Sequence, residues 1–248
     1  TQLYMEVHPA DNSPFEVASN CVSDVSRWFL ENGMLLNPNK TEAVLFGTRA
    51  QRKKIDTSAG IDVTGEKVAF SPTVKLLGVT LDDDLTLDRH VTDIVRGCSY
   101  HTRALRHIRP LIDVPTARMV AQGVVMSRLD YCNSLLHGTS KRNIDRLQVA
   151  QNALARTVCQ ATWSSSATDL RKSLHWLPVK QRIDFKLAVV TYKSKSTGTP
   201  TYLASLIDNY VPTRTLRSAD QFLLRSPIVK LVCSCKAFSV NAPLVFNA

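Results

Sequence analysis

The hydrophobic pattern of the sequence changes near residue 88, and this change constrains the fold class. Before it, apolar residues follow one helical pattern at 14–33 and form short runs typical of strands at 41–47, 61–70 and 74–81. After it, apolar residues recur every three or four positions, as in amphipathic helices. These helical segments cover 89–109, 114–136, 141–160, 170–176 and 179–195. We therefore predict an α+β fold, with a helix and a β-hairpin followed by a mostly α-helical domain.

The change near residue 88 and the loss of pattern after residue 198 divide the chain into three predicted parts. Residues 1–88 form the mixed part, 89–198 form the helical domain, and 199–248 form a weakly patterned C-terminal segment. Charge is divided in a similar way, because residues 1–90 carry a net charge of −4 and residues 91–248 carry +14. This asymmetry indicates a polyanionic partner for the second part of the chain.

The first long helix has one apolar face and one basic face. At 100° per residue, the apolar face contains Val91, Ile94, Cys98, Leu105 and Ile108. The opposite side contains Arg96, Arg103 and His107, with Arg106 on the flank. Such a helix suits a nucleic-acid backbone, although a solvated charged face has the same pattern.

Four aspartates lie just before this helix. Asp82, Asp83, Asp84 and Asp88 occur within seven positions, a density that suggests a metal site for nuclease or polymerase chemistry. The alternative is a helix start, where aspartates accept hydrogen bonds from free N–H groups and oppose the positive end of the dipole. We favour the helix start.

Composition excludes several other classes of protein. No apolar run approaches the roughly 20 residues needed to cross a bilayer, so no membrane partner is expected. Of the six cysteines only Cys233 and Cys235 lie close together, and no second pair completes a zinc site. We expect reduced thiols without disulfide partners. Because the chain begins at Thr1 without a signal pattern, we expect it to be part of a longer protein.

Seven stretches resemble, in order, the C-terminal part of reverse transcriptases from non-LTR (LINE-type) retrotransposons, close to the jockey-like elements. They are T-Q-L-Y at 1–4, L-N-P-N-K-T-E at 36–42, V-K-L-L-G-V-T-L-D at 74–82, S-R-L-D-Y-C-N-S-L-L-H-G at 127–138, R-L-Q-V-A-Q-N-A-L-A-R at 146–156, L-H-W-L-P-V-K-Q-R-I-D-F-K at 174–186 and A-F-S-V-N-A-P-L-V-F-N at 237–247. The resemblance implies the end of the palm with its primer-grip hairpin, then a helical thumb.

The resemblance also implies which functions this chain retains. In the family, two Mg²⁺ ions on palm aspartates support DNA synthesis from an RNA template. Those aspartates would precede Thr1, so we expect no cofactor in this chain and no activity of the chain alone. The expected partner is the duplex of RNA template and DNA primer, and the expected location is intracellular, in the nucleus or cytoplasm.

Several residues acquire roles through this resemblance. Lys40 matches a lysine that acts as a general acid or binds phosphate, and Leu77 and Gly78 match the primer grip. Trp176 with His175 could stack on a base, although a buried tryptophan is the commoner case. Contacts to the nucleic-acid backbone are expected from Arg96, Arg103, Arg106, Lys141, Arg142 and Arg146.

Two alternatives remain open from the sequence. One is a non-catalytic nucleic-acid-binding protein repurposed from such a polymerase remnant. The other is a nuclease that uses the aspartate cluster as its metal site, which would cleave nucleic acid only with Mg²⁺.

Overall fold

The computed structural model divides into two units, Thr1–Thr86 and Leu87–Ala248. Its helices dominate and its strands form two small antiparallel hairpins, which confirms the predicted α+β, mostly helical class. The structure describes residues 1–8, 13–58, 60–211, 222–229 and 234–248.

The described residues of the first unit form two α-helices, α1 at Ser13–Glu31 and α2 at Arg49–Arg52. Helix α1 packs on the short strand β1, Ile61–Val63. Its buried Phe15 lies against Phe70, with the ring centroids 5.4 Å apart. The predicted apolar face of α1 is only partly buried, since Val17 and Trp28 are exposed. A three-residue strand is too short to cover a helix of 19 residues.

The strands form two separate hairpins. Strand β1 pairs with β2, Glu66–Val68, and β3, Thr73–Leu76, pairs with β4, Val79–Asp82. The prediction of a strand at 41–47 is wrong, because this run makes only an isolated bridge from Ala43 to Phe70. Apolar content marks a segment for burial but does not provide a neighbouring strand to pair with.

The second unit is a helical assembly. Its helices are α3 at Asp88–Ile108, α4 at Val114–Val120, α5 at Ser127–Asp130, α6 at Lys141–Val158, α7 at Ala167–Ser173, α8 at Val179–Thr197, α9 at Thr201–Ala204 and α10 at Phe238–Phe246. A π-helical turn, Ala121–Met126, joins α4 to α5. None of the described helices is both long and apolar enough to cross a membrane.

The helix predicted over 114–136 ends early, at Asp130. Tyr131 is extended and Cys132 has a φ of +50°, so the chain turns away before a short 3₁₀ helix. The Asp130 carboxylate accepts a hydrogen bond from Arg182 Nε at 2.8 Å and another from Nη2 of the same guanidinium. This two-pronged ion pair ties the end of α5 to α8.

Helix α6 lies at the centre of this unit, where it packs against α3, α7 and α8. Its buried side chains include two amides beside the apolar ones. The fully buried Gln151 donates from Nε2 to the Leu177 carbonyl oxygen at 2.9 Å, and Gln148 Oε1 accepts from the Val179 N–H at 2.9 Å. Gln148 Nε2 also donates to Gln151 Oε1 at 2.9 Å. This glutamine pair therefore satisfies the first N–H of α8, which has no side-chain cap of its own, and the Leu177 carbonyl just before the helix.

Replacing Gln151 tests the contribution of the glutamine pair. We expect Gln151→Leu to lower the free energy of unfolding by about 1–3 kcal/mol, because the Leu177 carbonyl is then left without its amide donor. Urea denaturation followed by circular dichroism measures the change. The matched control Gln181→Leu, at an exposed position of α8, should shift stability by less than about 0.5 kcal/mol. Equal effects of the two substitutions would contradict this role for Gln151.

The five cysteines in the described part of the chain are free thiols, while Cys233 lies outside it. Cys98 is fully buried in α3, and burial raises the pKa of its thiol to about 11. At pH 8 only about one such thiol in a thousand is ionised, and thiolate is the reactive form.

Alkylation should therefore distinguish two cysteines of the second unit. We expect iodoacetamide at pH 8 to modify the exposed Cys235 rapidly and Cys98 only after the unit unfolds. Peptide mass spectrometry over a time course, with and without urea, reads both sites in one sample. Modification of Cys98 at the rate of Cys235 in native buffer would contradict its burial.

Candidate nucleic-acid interface

Helices α3 and α6 lie side by side and run in the same direction. At their amino ends, Asn143 Nδ2 donates to Asp88 Oδ1 at 2.6 Å. At their carboxyl ends, the buried Arg109, just beyond α3, donates from Nε to the Val158 carbonyl oxygen at 2.7 Å. The outward-facing sides of the two helices therefore lie next to each other along most of their length.

The basic residues of α3 lie where the helical pattern placed them. Arg96, Arg103 and Arg106 are exposed, while Val91, Cys98 and Leu105 are buried. Two predicted members of the apolar face, Ile94 and Ile108, are only partly buried or exposed, because the helix buries a narrower stripe than predicted. The three guanidinium groups are thus accessible to a large anion.

The amino end of α6 adds further basic residues beside an open groove of about 600 Å³. We call it the first groove; it is lined by Val95, Lys141, Arg142, Asp145, Arg146 and Val149. Arg146 is held in place, since its Nη2 donates to Thr92 Oγ1 at 2.9 Å. Lys141 and Arg142 are exposed, and Asp145 is the one acidic lining residue among those described.

The charge at the start of α6 is opposite to what a helix ordinarily prefers. Ser140 caps the helix by accepting from the Asn143 N–H at 3.3 Å, but the first turn holds Lys141 and Arg142 and no acidic residue. Positive side chains at the positive end of the helix dipole are unfavourable, and a bound anion would relieve this repulsion. The arrangement is typical of a phosphate contact.

The residues assigned to the primer grip and to catalysis lie in the first unit. Lys40 is the exposed last residue of a 3₁₀ helix, Pro38–Lys40. Leu77 and Gly78 form the two-residue turn between β3 and β4, with φ values of +46° and +84°. Positive φ at both positions is typical of a type I′ turn, which usually carries Asn-Gly. Leucine in this conformation is strained, and its side chain is 87% exposed at the tip of the hairpin.

Three members of the aspartate cluster, Asp82, Asp83 and Asp84, are engaged inside the first unit. Arg52 bridges two members of it, with Nη1 2.9 Å from Asp83 Oδ2 and Nη2 2.9 Å from Asp84 Oδ1. The Asp82 carboxylate accepts from both the backbone N–H and the hydroxyl of Thr86. The described residues contain no group of three or more His, Cys, Asp or Glu side chains suited to a metal ion.

The preferred interpretation of this cluster as a helix start is wrong for three of the four aspartates. Only Asp88 lies in the first turn of α3, whose N-cap is Leu87 with a φ of +64° and no side-chain hydrogen bond. The other three are held by Arg52 and Thr86, and the Arg52 contact joins residues some thirty positions apart. That partner is not visible in a local pattern.

Neutralising two of the aspartates separates a structural role from a metal site. We expect Asp83→Asn/Asp84→Asn to destabilise the first unit by about 1–3 kcal/mol, because the largely buried Arg52 loses both charged partners. The control Asp24→Asn removes an exposed ion pair to Arg27 and should have an effect below about 0.5 kcal/mol. Thermal unfolding with and without Mg²⁺ measures both. Stabilisation by Mg²⁺ in the wild type that the double variant loses would contradict the structural role.

Two of the tryptophans in the described chain have opposite surroundings. Trp176 is buried, as the commoner interpretation predicted, and His175 beside it is exposed. Trp163, which the sequence analysis did not single out, is 88% exposed in the loop after α6. The sequence signal was its polar setting, A-T-W-S-S-S at 161–166, shortly after the end of the helix. Arg156, on the same side of α6 as Arg142, was also missed.

One curated protein is similar over much of the chain. It is described as a probable RNA-directed DNA polymerase from transposon BS of Drosophila melanogaster, 24% identical over 188 residues. The similarity supports a relationship to a transposon reverse transcriptase. It covers 70% of this chain but only 20% of that polymerase, so the chain spans about a fifth of the length of its relative. No family model matches the sequence, and no solved structure matches the fold.

Proposed function

We propose that this chain is the C-terminal part of an RNA-directed DNA polymerase of a non-LTR, LINE-type, jockey-like retrotransposon. In this proposal the helical unit is the thumb, which holds the duplex of RNA template and DNA primer. Support comes from the similarity to a transposon polymerase together with the exposed basic residues of α3 and α6. Such a protein acts inside the cell, in the nucleus or cytoplasm.

The basic first turn of α6 is the observation that carries the proposal. Lys141 and Arg142 stand at the positive end of a helix dipole, on the rim of a groove that also holds Arg146. A phosphate group there meets two cationic side chains and the helix amino end, and it removes their mutual repulsion. The exposed Arg96 and Arg103 extend the positive surface along α3, where further phosphates of one duplex can bind.

These contacts suit a polymerase thumb because they read the backbone and not the bases. A polymerase must hold every sequence that it copies, and phosphate contacts give affinity without sequence information. Binding of this kind releases counterions, so the affinity falls steeply as the salt concentration rises. The same surface would serve a non-catalytic nucleic-acid-binding protein, the alternative function.

The catalytic part of the proposal concerns the first unit. In such polymerases Mg²⁺ activates the primer 3′-oxygen and neutralises charge on the leaving pyrophosphate. Asp82, Asp83 and Asp84 do not fit that role, since Arg52 and Thr86 hold them, and the described residues contain no group of three or more His, Cys, Asp or Glu side chains suited to a metal ion. We therefore propose that the chain alone does not extend a primer. In an intact polymerase of this kind, Lys40 would donate a proton near the triphosphate, and Leu77 with Gly78 would contact the primer terminus.

Binding of a duplex tests the proposed thumb. We expect Lys141→Gln/Arg142→Gln to weaken binding of a blunt RNA–DNA hybrid by about tenfold or more at low salt, because two phosphate contacts are lost. The slope of log affinity against log salt should fall by about 1 for each contact removed. Fluorescence anisotropy with a labelled hybrid, repeated over a salt series, measures both quantities.

A charge-matched control variant makes the result specific. Lys186→Gln/Lys193→Gln removes the same charge from exposed positions of α8 and should leave the salt slope unchanged. The α6 variant should also be slightly more stable than the wild type, since it removes unfavourable charge at a helix amino end. Equal loss of affinity in both variants would show that the affinity depends on net charge alone, and it would contradict the proposed surface.

A further inference from the structure

A second groove lies where α3 and α6 end, about 500 Å³ in volume. We call it the tryptophan groove; its lining residues are Arg106, Arg109, Pro110, Ala153, Arg156, Thr157, Gln160, Ala161 and Trp163. Its volume lies within the range of small-molecule and nucleotide pockets. Three of the lining residues are arginines and, among the described residues, none is acidic.

Trp163 is unusual in being left at the surface. Tryptophan is highly buried on average, and leaving most of its rings in water forgoes a burial free energy of a few kcal/mol. Its indole is 88% exposed, whereas that of Trp176 in the same unit is buried. The surrounding loop is nevertheless well held, since Thr162 Oγ1 lies 2.9 Å from Ser164 Oγ and 3.1 Å from Ser165 Oγ.

The three arginines of the groove differ in burial and in hydrogen bonding. Arg109 is buried and occupied, donating from Nε to the Val158 carbonyl oxygen and from Nη1 to that of Ile112 at 2.6 Å. Arg156 Nη2 donates to the Ser165 carbonyl oxygen at 3.3 Å, which fixes the tryptophan loop to α6. Its Nε is buried and has no hydrogen-bond partner in the described structure. Arg106 is exposed and forms no ion pair with a described residue.

We infer that the tryptophan groove binds one unpaired base of a single-stranded nucleic acid, stacked on Trp163 with its phosphate on Arg106. A flat indole beside guanidinium groups is the usual composition of a site for unpaired bases. The carboxyl ends of two helices carry partial negative charge, which disfavours a phosphate at the groove floor but not a neutral base. The guanidinium of Arg156, which lines the groove, carries further N–H groups that can donate to a base oxygen or nitrogen.

This inference rests on the proposed nucleic-acid-binding function and makes it more specific. The phosphate contacts of the first groove hold duplex, whereas the tryptophan groove takes a base that has left the duplex or has not yet entered it. Arg106 lies on the same side of α3 as Thr92, the residue that contacts Arg146 of the first groove. A strand could therefore pass from one groove to the other along the helix pair.

Two ligands, two substitutions of Trp163 and one control substitution of Tyr192 test the inference. Using the full chain, we expect Trp163→Ala to weaken binding of a 12-nucleotide single-stranded oligonucleotide by about tenfold or more, because a stacked base is lost. Its affinity for a blunt RNA–DNA hybrid should be unchanged. Trp163→Phe, which keeps a ring, should recover most of the single-strand affinity. The control Tyr192→Ala removes an exposed aromatic ring from α8 and should have no effect on either ligand.

Fluorescence gives an independent measurement of stacking. The variant Trp28→Phe keeps two tryptophans, the exposed Trp163 and the buried Trp176. The oligonucleotide should quench the emission of Trp163 in this variant. Wild-type affinity of Trp163→Ala for the single strand, without quenching in the Trp28→Phe variant, would overturn the inference. Sedimentation gives a second outcome that would overturn the inference. If the wild type sediments as a dimer and Trp163→Ala as a monomer, the indole belongs to a contact between two copies of the chain.

Failure of the proposed duplex binding would look different. In that case the wild-type chain would not bind the blunt hybrid, yet it would still bind the single strand through Trp163. A different result would separate the proposals the other way. If Lys141→Gln/Arg142→Gln loses duplex binding while Trp163→Ala binds the single strand as the wild type does, the thumb is supported and the unpaired-base site is contradicted. The four combinations of ligand and variant therefore separate the two proposals.

Discussion

The arrangement of the helical unit depends on two glutamines of one helix, the buried Gln151 and the half-buried Gln148. Gln151 and Gln148 of α6 bind the Leu177 carbonyl and the Val179 N–H, so the path of the chain into α8 is determined by side chains of α6. An amide can satisfy both a donor and an acceptor of the backbone, which an apolar side chain of the same size cannot do. Because a buried backbone group without a partner is unfavourable, these two hydrogen bonds favour the observed start of α8 and its observed position against α6.

With α6 fixed from one side, its other side is available for α3. Asn143 and Arg146 of α6 contact Asp88 and Thr92 of α3, and Arg109 closes the far end of the pair on Val158. The exposed arginines and lysines thus stand on helices whose relative position is set by hydrogen bonds at both ends. A surface that binds an extended polyanion needs such rigidity, since charges on mobile segments lose more entropy on binding.

Periodicity predicted the long helices and the exposure of Arg96, Arg103 and Arg106, because a helix repeats its faces within the segment itself. It failed where a distant partner decides the structure. The strand predicted at 41–47 had no neighbouring strand, and Asp83 and Asp84 pair with Arg52, some thirty residues away. Trp163 and Trp176 differ in burial for the same reason, since composition reports that a ring is present but not what covers it.

The parallel course of α3 and α6 has a consequence for protein synthesis. Residues that meet at the amino ends, Asp88 and Asn143, are 55 positions apart, so α3 must leave the ribosome well before its neighbour exists. A nascent or prematurely terminated chain then carries the arginines of α3 without the groove that orients them. If the proposed function holds, such a product attracts nucleic acid by charge alone, without the oriented contacts of the packed helix pair. The proposed surface is complete only once α6 has been synthesised and has packed against α3.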